Sequence, residues 1–338
     1  MHPETHSIAT GFRSLVVITS LLATMSSGCG NSSNGQKTKG HGDHQTAPAP
    51  SSAVRKGDAP IAIVCTTEMV ADIVRAAGGD QVAVEALMGE GVDPHMYNPT
   101  PKDQQRLSKA DMLFYNGLHL EAGLVKVMES LAKRGKPVYA VTQDLLATDD
   151  PRLIKVDAGT HDPHVWNDPE IWAEGVDVVQ AALSRFDEQN KDAYTANSEK
   201  YKTEILDLIS YGDEKFGEVA KEDRVLVTAH DAFGYLAARY EFEVLPIQGV
   251  STEAEASVGK IDELVETIVK RKIKAVFAES SVNQQYLKAL IEGCAARDHE
   301  VKLGGTLYSD AMGGPGSGAD TYLTMFRANI DTITSALK

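Results

Sequence analysis

Cysteine is scarce in this 338-residue chain, with Cys29, Cys65 and Cys294 the only three. The first lies near the N-terminus and the other two fall in an expected strand and an expected helix. A disulfide framework is therefore absent, and both inner thiols are expected as buried, inert side chains. Positive charge is short as well: 33 Lys and Arg stand against 48 Asp and Glu, a net charge of −15. That balance excludes nucleic acid as a partner, because phosphate neutralisation needs a basic face. Long apolar runs are missing too, since the one near the start, Leu15 to Leu22, is too short to span a bilayer as a mature helix. No Gly-x-Ser-x-Gly nucleophile motif occurs.

What the N-terminus does contain reads as an export signal. Arg13 precedes the apolar run, and small residues lead into Cys29, so residues 1–28 are expected to be a signal peptide. Ser26-Ser27-Gly28-Cys29 resembles a bacterial lipobox, in which the cysteine becomes the lipid-bearing N-terminus. It departs from that pattern in having Ser26 where leucine is usual, and an ordinary cleaved signal is the alternative. From Asn31 to Ala59 the chain turns to Gly, Ser, Thr, Pro, Ala and Lys, which cannot bury enough surface to offset ordering entropy. Residues 29–59 are expected to be a disordered tether. His41 and His44 within it read as polar linker residues, with weak metal scavenging as the other reading.

Residues 60–338 suffice for two domains. Short β-branched runs (Ile61 to Cys65, Val82 to Leu87, Met112 to Tyr115, Val138 to Val141) alternate with helical spacings such as Leu120, Leu124, Val127, Met128 and Leu131. The second half repeats this with strands at Val225 to Thr228, Glu243 to Ile247, Ala275 to Ala278 and Val301 to Leu303. Helices are expected at Phe233 to Tyr240, Val258 to Arg271, Gln284 to Arg297 and Thr321 to Leu337. Such alternation implies parallel sheets built by right-handed crossovers. The expected fold is α/β, with two lobes, residues 60–190 and 220–338, each a four-stranded parallel sheet flanked by helices. Residues 191–219 join them as one long rigid helix, about 40 Å if unbroken, whose end Gly212 and Gly217 are placed to fray.

In open parallel sheets, ligands bind beyond the strands' carboxyl ends. His95 follows the second strand, His161 and His164 the fourth, His230 the fifth and Asp310 the eighth. Three imidazoles and a carboxylate would suit zinc, or manganese with a bidentate carboxylate. Each also has an ordinary reading. His95 sits in a Gly- and Pro-rich loop where a solvated histidine is common, and either His161 or His164 can simply be exposed. His230 starts a helix and can cap it, while Asp310 precedes a Gly-rich segment and can fix a turn. His119, near a strand end, reads as a residue behind the ligands or as core.

Six blocks, in order, resemble one family. They are Gly91-Val92-Asp93-Pro94-His95-Met96-Tyr97, Asn116-Gly117-Leu118-His119-Leu120-Glu121, Asp162-Pro163-His164-Val165-Trp166, Thr228 to Tyr235, Ala278-Glu279-Ser280-Ser281-Val282, and Tyr308 to Gly313. The chain is similar to the zinc- and manganese-binding solute-binding lipoproteins of ABC importers, a family that includes the lipoprotein adhesins. The resemblance implies one metal ion between two α/β lobes, held by His95, His164, His230 and Asp310. His230 stands where the manganese-selective adhesins often carry glutamate, and Leu145 to Thr160 is short and lacks the histidines of zinc-specific members. The chain most resembles the branch with three histidines and one aspartate.

Capture of zinc or manganese and delivery to an ABC-type permease is therefore the expected function, for a monomer exported to the periplasm or cell surface. Catalysis is not expected. His161, Asp162, Asp168, His119 and Glu279 are the candidates to orient the ligands from behind. Neutral imidazole is needed for ligation, so affinity is expected to fall as pH drops toward about 6.5. The rival readings are a metal-stabilised surface adhesin and a zinc-dependent hydrolase, the second weakened because Asp310 would fill the position a catalytic zinc keeps for water.

Overall fold

The computed structural model describes residues 51–157 and 159–338. The expected signal peptide, Cys29, His41 and His44 lie outside the described residues. Residues 51–59, expected as the last part of the tether, are among those described. From residue 51 the chain lies against the fold, with Arg55 N–H donating to the Phe186 carbonyl at 2.7 Å and the Arg55 guanidinium on Asp187 at 2.5 Å. A buried carboxylate needs such a partner, and Tyr194 completes it by donating to the same Asp187 at 2.7 Å.

The first half alternates as expected: β1 (Ile61–Thr67), α1 (Glu68–Gly78), β2 (Val82–Met88), α2 (Pro101–Lys109), β3 (Met112–Tyr115), α3 (Val125–Lys133) and β4 (Val138–Ala140). These strands form one parallel sheet in the order β2-β1-β3-β4, in register Ile61 with Val82, Ile63 with Met112 and Leu113 with Val138. Nearly every residue of β1 is buried, as a central parallel strand covered on both faces requires. α3 starts five residues later than the Leu120 spacing suggests. Gly117, Leu118 and His119 take φ of 91°, 51° and 65°, and a left-handed turn cannot continue a right-handed helix. Leu120 and Leu124 are nevertheless buried, so their spacing reflects packing in the turn.

Between the halves come α4 (Gln143–Ala147), a small antiparallel pair of β5 (Lys155–Asp157) and β6 (Thr160–His161), then α5 (Pro169–Phe186) and α6 (Lys191–Phe216). The 26 residues of α6 make it about 39 Å long. Tyr194, Ser198, Tyr201, Ile205, Leu208, Gly212 and Phe216 form its buried stripe, against α1 and α5 on one side and the C-terminal helix on the other. Gly212 does not fray it. A Cβ there would sit 2.4 Å from Tyr240 Oη, so the glycine admits a close aromatic contact. The helix stops at Gly217.

The second half holds β7 (Val225–Thr228), α7 (Gly234–Tyr240), β8 (Glu243–Pro246), α8 (Val258–Arg271), β9 (Ala275–Glu279), α9 (Gln285–Ala295), β10 (Lys302–Leu307) and α10 (Tyr322–Leu337). Its four strands hydrogen-bond as two parallel pairs, β10-β9 and β7-β8, with β7 packed beside β9. The largest apolar cluster is continuous across both halves. It joins Ile61 and Ile63 of β1, Trp172 of α5 and Ile205 of α6 to Leu236, Phe277 and Ile333. Among the described residues no helix is long and apolar enough to cross a membrane.

Candidate metal centre

Four side chains converge beyond the carboxyl ends of the strands. His95 comes from the loop after β2, His164 from the segment after the β5–β6 pair, His230 from the turn after β7 and Asp310 from the loop after β10. One donor atom of each lies within 4.8 Å of all the others, and all four residues are buried. His164 Nε2 is 3.2 Å from His95 Nε2 and 3.3 Å from His230 Nε2. Asp310 places Oδ1 3.3 Å from His164 Nε2, and Oδ2 3.2 Å from His230 Nε2 and 3.9 Å from His95 Nε2.

These separations decide what the cluster can hold. Four donors about 2.0–2.2 Å from a central ion, set tetrahedrally, stand about 3.3–3.6 Å apart; the separations above run from 3.2 to 3.9 Å, near that range. Both Asp310 oxygens are buried and lack a hydrogen-bond donor of proper geometry, although imidazole nitrogens lie close to each. An orphaned buried carboxylate is costly. A cation at the centre of the four would satisfy all of them together.

The far sides of two rings are fixed by carboxylates. His164 Nδ1–H donates to Asp162 Oδ1 at 2.6 Å, and the His164 backbone N–H donates to the same oxygen at 2.9 Å. His230 Nδ1–H donates to Glu279 Oε2 at 2.5 Å, with its backbone N–H on Glu279 Oε1 at 2.9 Å. A carboxylate accepts, so each Nδ1 carries a proton, and Nε2 is the atom that would offer a lone pair to an ion at the centre once its own proton has left.

Electrostatics splits the three imidazoles. Burial dominates at His95 and pushes its pKa down to about 3. Burial acts in the same sense at His164, but Asp162 and Asp310 outweigh it and hold the ring up at about 9. His230 behaves likewise, raised well above its ordinary value by Asp310 and Glu279 against its own burial. Asp310, despite its burial, is held well below the usual carboxylate range by His230 and His164. Without an ion, protons on His164 and His230 therefore balance the carboxylates.

Other residues expected behind the ligands sit elsewhere. Asp168 caps α5, accepting from Glu170 N–H at 2.9 Å, and pairs with Arg239 at 2.8 Å. Its Asp-Pro sequence is a helix start, which accounts for its place. His161 lies half-buried in β6 outside the cluster, its Nε2 without a partner among the described residues. His119 is half-buried in the left-handed turn and also lies outside.

That turn has a different use. Glu121, buried, accepts from Thr66 Oγ1 at 2.6 Å and Asn116 N–H at 2.7 Å, and Asn116 Nδ2 donates to the Pro163 carbonyl at 3.0 Å, next to His164. Trp166 was the least legible contributor. Its indole N–H donates to the Ser309 carbonyl at 2.7 Å, tying the segment of His164 to that of Asp310, and its own carbonyl accepts from Tyr322 Oη at 2.8 Å. A buried tryptophan needs a partner for its N–H, but no spacing in the sequence says which.

Comparison with known proteins fits this picture. The family described as "Zinc-uptake complex component A periplasmic" matches residues 63–336. The manganese-binding lipoprotein MntA of Bacillus subtilis is 39% identical over 85% of this chain and 93% of its own. The solved structure of the periplasmic zinc-binding protein TroA from Treponema pallidum is 39% identical and superposes with a TM-score of 0.79, covering 82% of this chain and 99% of that one. A periplasmic metal-binding protein from Candidatus Liberibacter asiaticus, solved with manganese bound, is 26% identical with a TM-score of 0.72 over 82% of this chain and all of that one.

Proposed function

The chain belongs to the zinc-uptake component A family of metal-binding proteins, and from that premise we propose that it captures a single zinc or manganese ion and delivers it to an ABC-type permease. His95, His164, His230 and Asp310 are the ligands, and Asp162 and Glu279 hold two of the rings in the ligating tautomer. The observation that carries this reading is the buried Asp310 carboxylate, whose two undonated oxygens face imidazole nitrogens at cation-ligand spacing. Four protein donors fill a tetrahedral shell, so the site is read as one of capture and not of hydrolysis. Residues 60–190 and 220–338 are the two lobes and α6 the strut between them. Export through residues 1–28, lipid attachment at Cys29 and a monomeric state complete the proposal, which suits delivery to a membrane-embedded partner.

The test is metal stoichiometry on demetallated protein, titrating zinc and manganese into wild type and His164→Ala, beside uptake by cells lacking the gene. One ion per chain, weakened in the variant, together with lost uptake, is the expected result. No tight site, or binding indifferent to His164, overturns the ligand set. Unchanged uptake with lost surface attachment would favour the adhesin reading.

A further inference from the structure

The three histidines are not held alike. His164 and His230 are each braced from behind by a carboxylate on Nδ1, whereas among the described residues His95 Nδ1 has no hydrogen-bond partner. His95 is also the most exposed of the four at 6%, against 0%, 0% and 1% for His164, His230 and Asp310. Its one anchor is through the backbone. His95 N–H donates to Asp93 Oδ1 at 2.9 Å. The other oxygen of that carboxylate reaches the second half of the molecule, accepting from Thr252 Oγ1 at 2.6 Å.

Thr252 is itself pinned to the second half. Gln248, which follows β8, donates through Nε2 to the carbonyls of Thr252 at 3.4 Å and Ala254 at 3.0 Å. Trp166 to Ser309, Asn167 to Ala232 and Tyr235 to Asp162 also tie the halves near the centre, each a buried bond from side chain to backbone, and Arg239 of α7 pairs with Asp168 at the start of α5. The Asp93–Thr252 bond differs from them. It is made between two side chains in loops, is only half-buried, and acts on the least braced ligand.

We propose that the Thr252 hydroxyl and the Asp93 carboxylate form a latch that positions His95, and that opening it is the first step of ion release. The proposal rests on the four-ligand reading above. An ion leaves a closed shell by shedding one donor at a time, and the donor shed first is the one with least support behind it. Asp93 transmits the state of the lobe contact to that donor, since one carboxylate holds both the Thr252 hydroxyl and the His95 backbone. Thr252 is a positioning residue. It governs the lifetime of the bound ion more than the number of ions bound.

The experiment measures zinc dissociation from the full chain with a chromogenic chelator in excess, for wild type, Thr252→Val, Thr252→Ser and His164→Ala. Loss of a charge-assisted hydrogen bond predicts about tenfold faster release from Thr252→Val, with one zinc per chain retained. Thr252→Ser, which keeps the hydroxyl, should release at the wild-type rate. Release from Thr252→Val within twofold of wild type, or equal acceleration in the valine and serine variants, overturns the latch. Failure of the metal site itself reads differently, as undiminished stoichiometric binding in His164→Ala or no zinc on wild type.

Discussion

Loading the centre should release about two protons per ion near pH 7. In the metal-free protein burial is outweighed at His164, which is held up at about 9, and at His230, which is raised well above its ordinary value by Asp310 and Glu279, while His95, pushed down to about 3 by burial, is already neutral. At pH 7 a group titrating at 9 is about 99% protonated, and removing its proton costs about 3 kcal/mol. The ion must displace both protons to reach the two Nε2 lone pairs. Two protons leave as a divalent cation enters, so the net charge buried among Asp162, Glu279 and Asp310 is unchanged, which spares the interior an uncompensated charge. The contrast with unperturbed imidazoles is measurable, since three groups titrating at 6.5 would release only about 0.7 proton at pH 7. Calorimetric titration of zinc in buffers of different ionisation enthalpy counts the protons directly. The apparent affinity should rise with a slope near two in log K per pH unit, about 10⁴-fold from pH 6 to pH 8, and bend only near pH 9. A release below one proton, or a slope that flattens above pH 7, would refute the assignment of raised pKa values to His164 and His230.

The same shifts set the pH dependence of stability. A histidine raised in the folded state stabilises the metal-free protein fully below about pH 6.5, and that contribution is lost as pH rises through about 9. The gap in melting temperature between metal-loaded and metal-free protein should therefore widen from pH 6.5 to pH 9, as differential scanning fluorimetry will show. Glu279→Gln removes the charge behind His230 and should weaken zinc binding about 10- to 100-fold while leaving one site per chain, measured by competition with a chelator of known affinity. Gly212→Ala puts a methyl 2.4 Å from Tyr240 Oη and should cost about 1–3 kcal/mol in urea unfolding, with zinc stoichiometry unchanged.

Much of this architecture was readable from pattern. Seven of the eight strands and the four helical spacings in the second half fell within one or two residues of the observed elements, because burial on one face leaves a period in the sequence, while β10 runs four residues past its expected end at Leu303. The convergence of His95, His230 and Asp310 was legible for a topological reason: parallel strands send their following loops to one edge, so a residue's place after a strand implies its place in space; His164, expected after the fourth strand, follows the antiparallel β5–β6 pair instead. What escaped was whatever depends on backbone conformation or on distant partners. The Leu120 spacing suggested a helix where Leu118 and His119 adopt left-handed φ. Asp168 looked like a residue of the site and turned out to cap α5, as its Pro169 neighbour hinted. Asp93, Thr252 and Trp166 join segments 143 to 159 residues apart, and nothing in spacing marks such a pair.

The continuity of the core constrains how the ion can leave. A wide swing between the halves would have to separate Tyr201, Ile205 and Leu208 of α6 from helices on both sides and expose parts of a cluster that spans both halves. Each large apolar side chain so exposed costs about 1.5–3 kcal/mol, and half a dozen of them would rival the stability of an ordinary domain. The Tyr322 backbone N–H and Tyr201 Oη both donate to Asp72, adding a half-buried polar tie between α1, α6 and α10 against the same motion. The loops carrying His95 and Thr252 meet outside this core, through contacts that break without exposing it. Under the proposed latch, release through loop movement at the His95 edge is thus the less costly route.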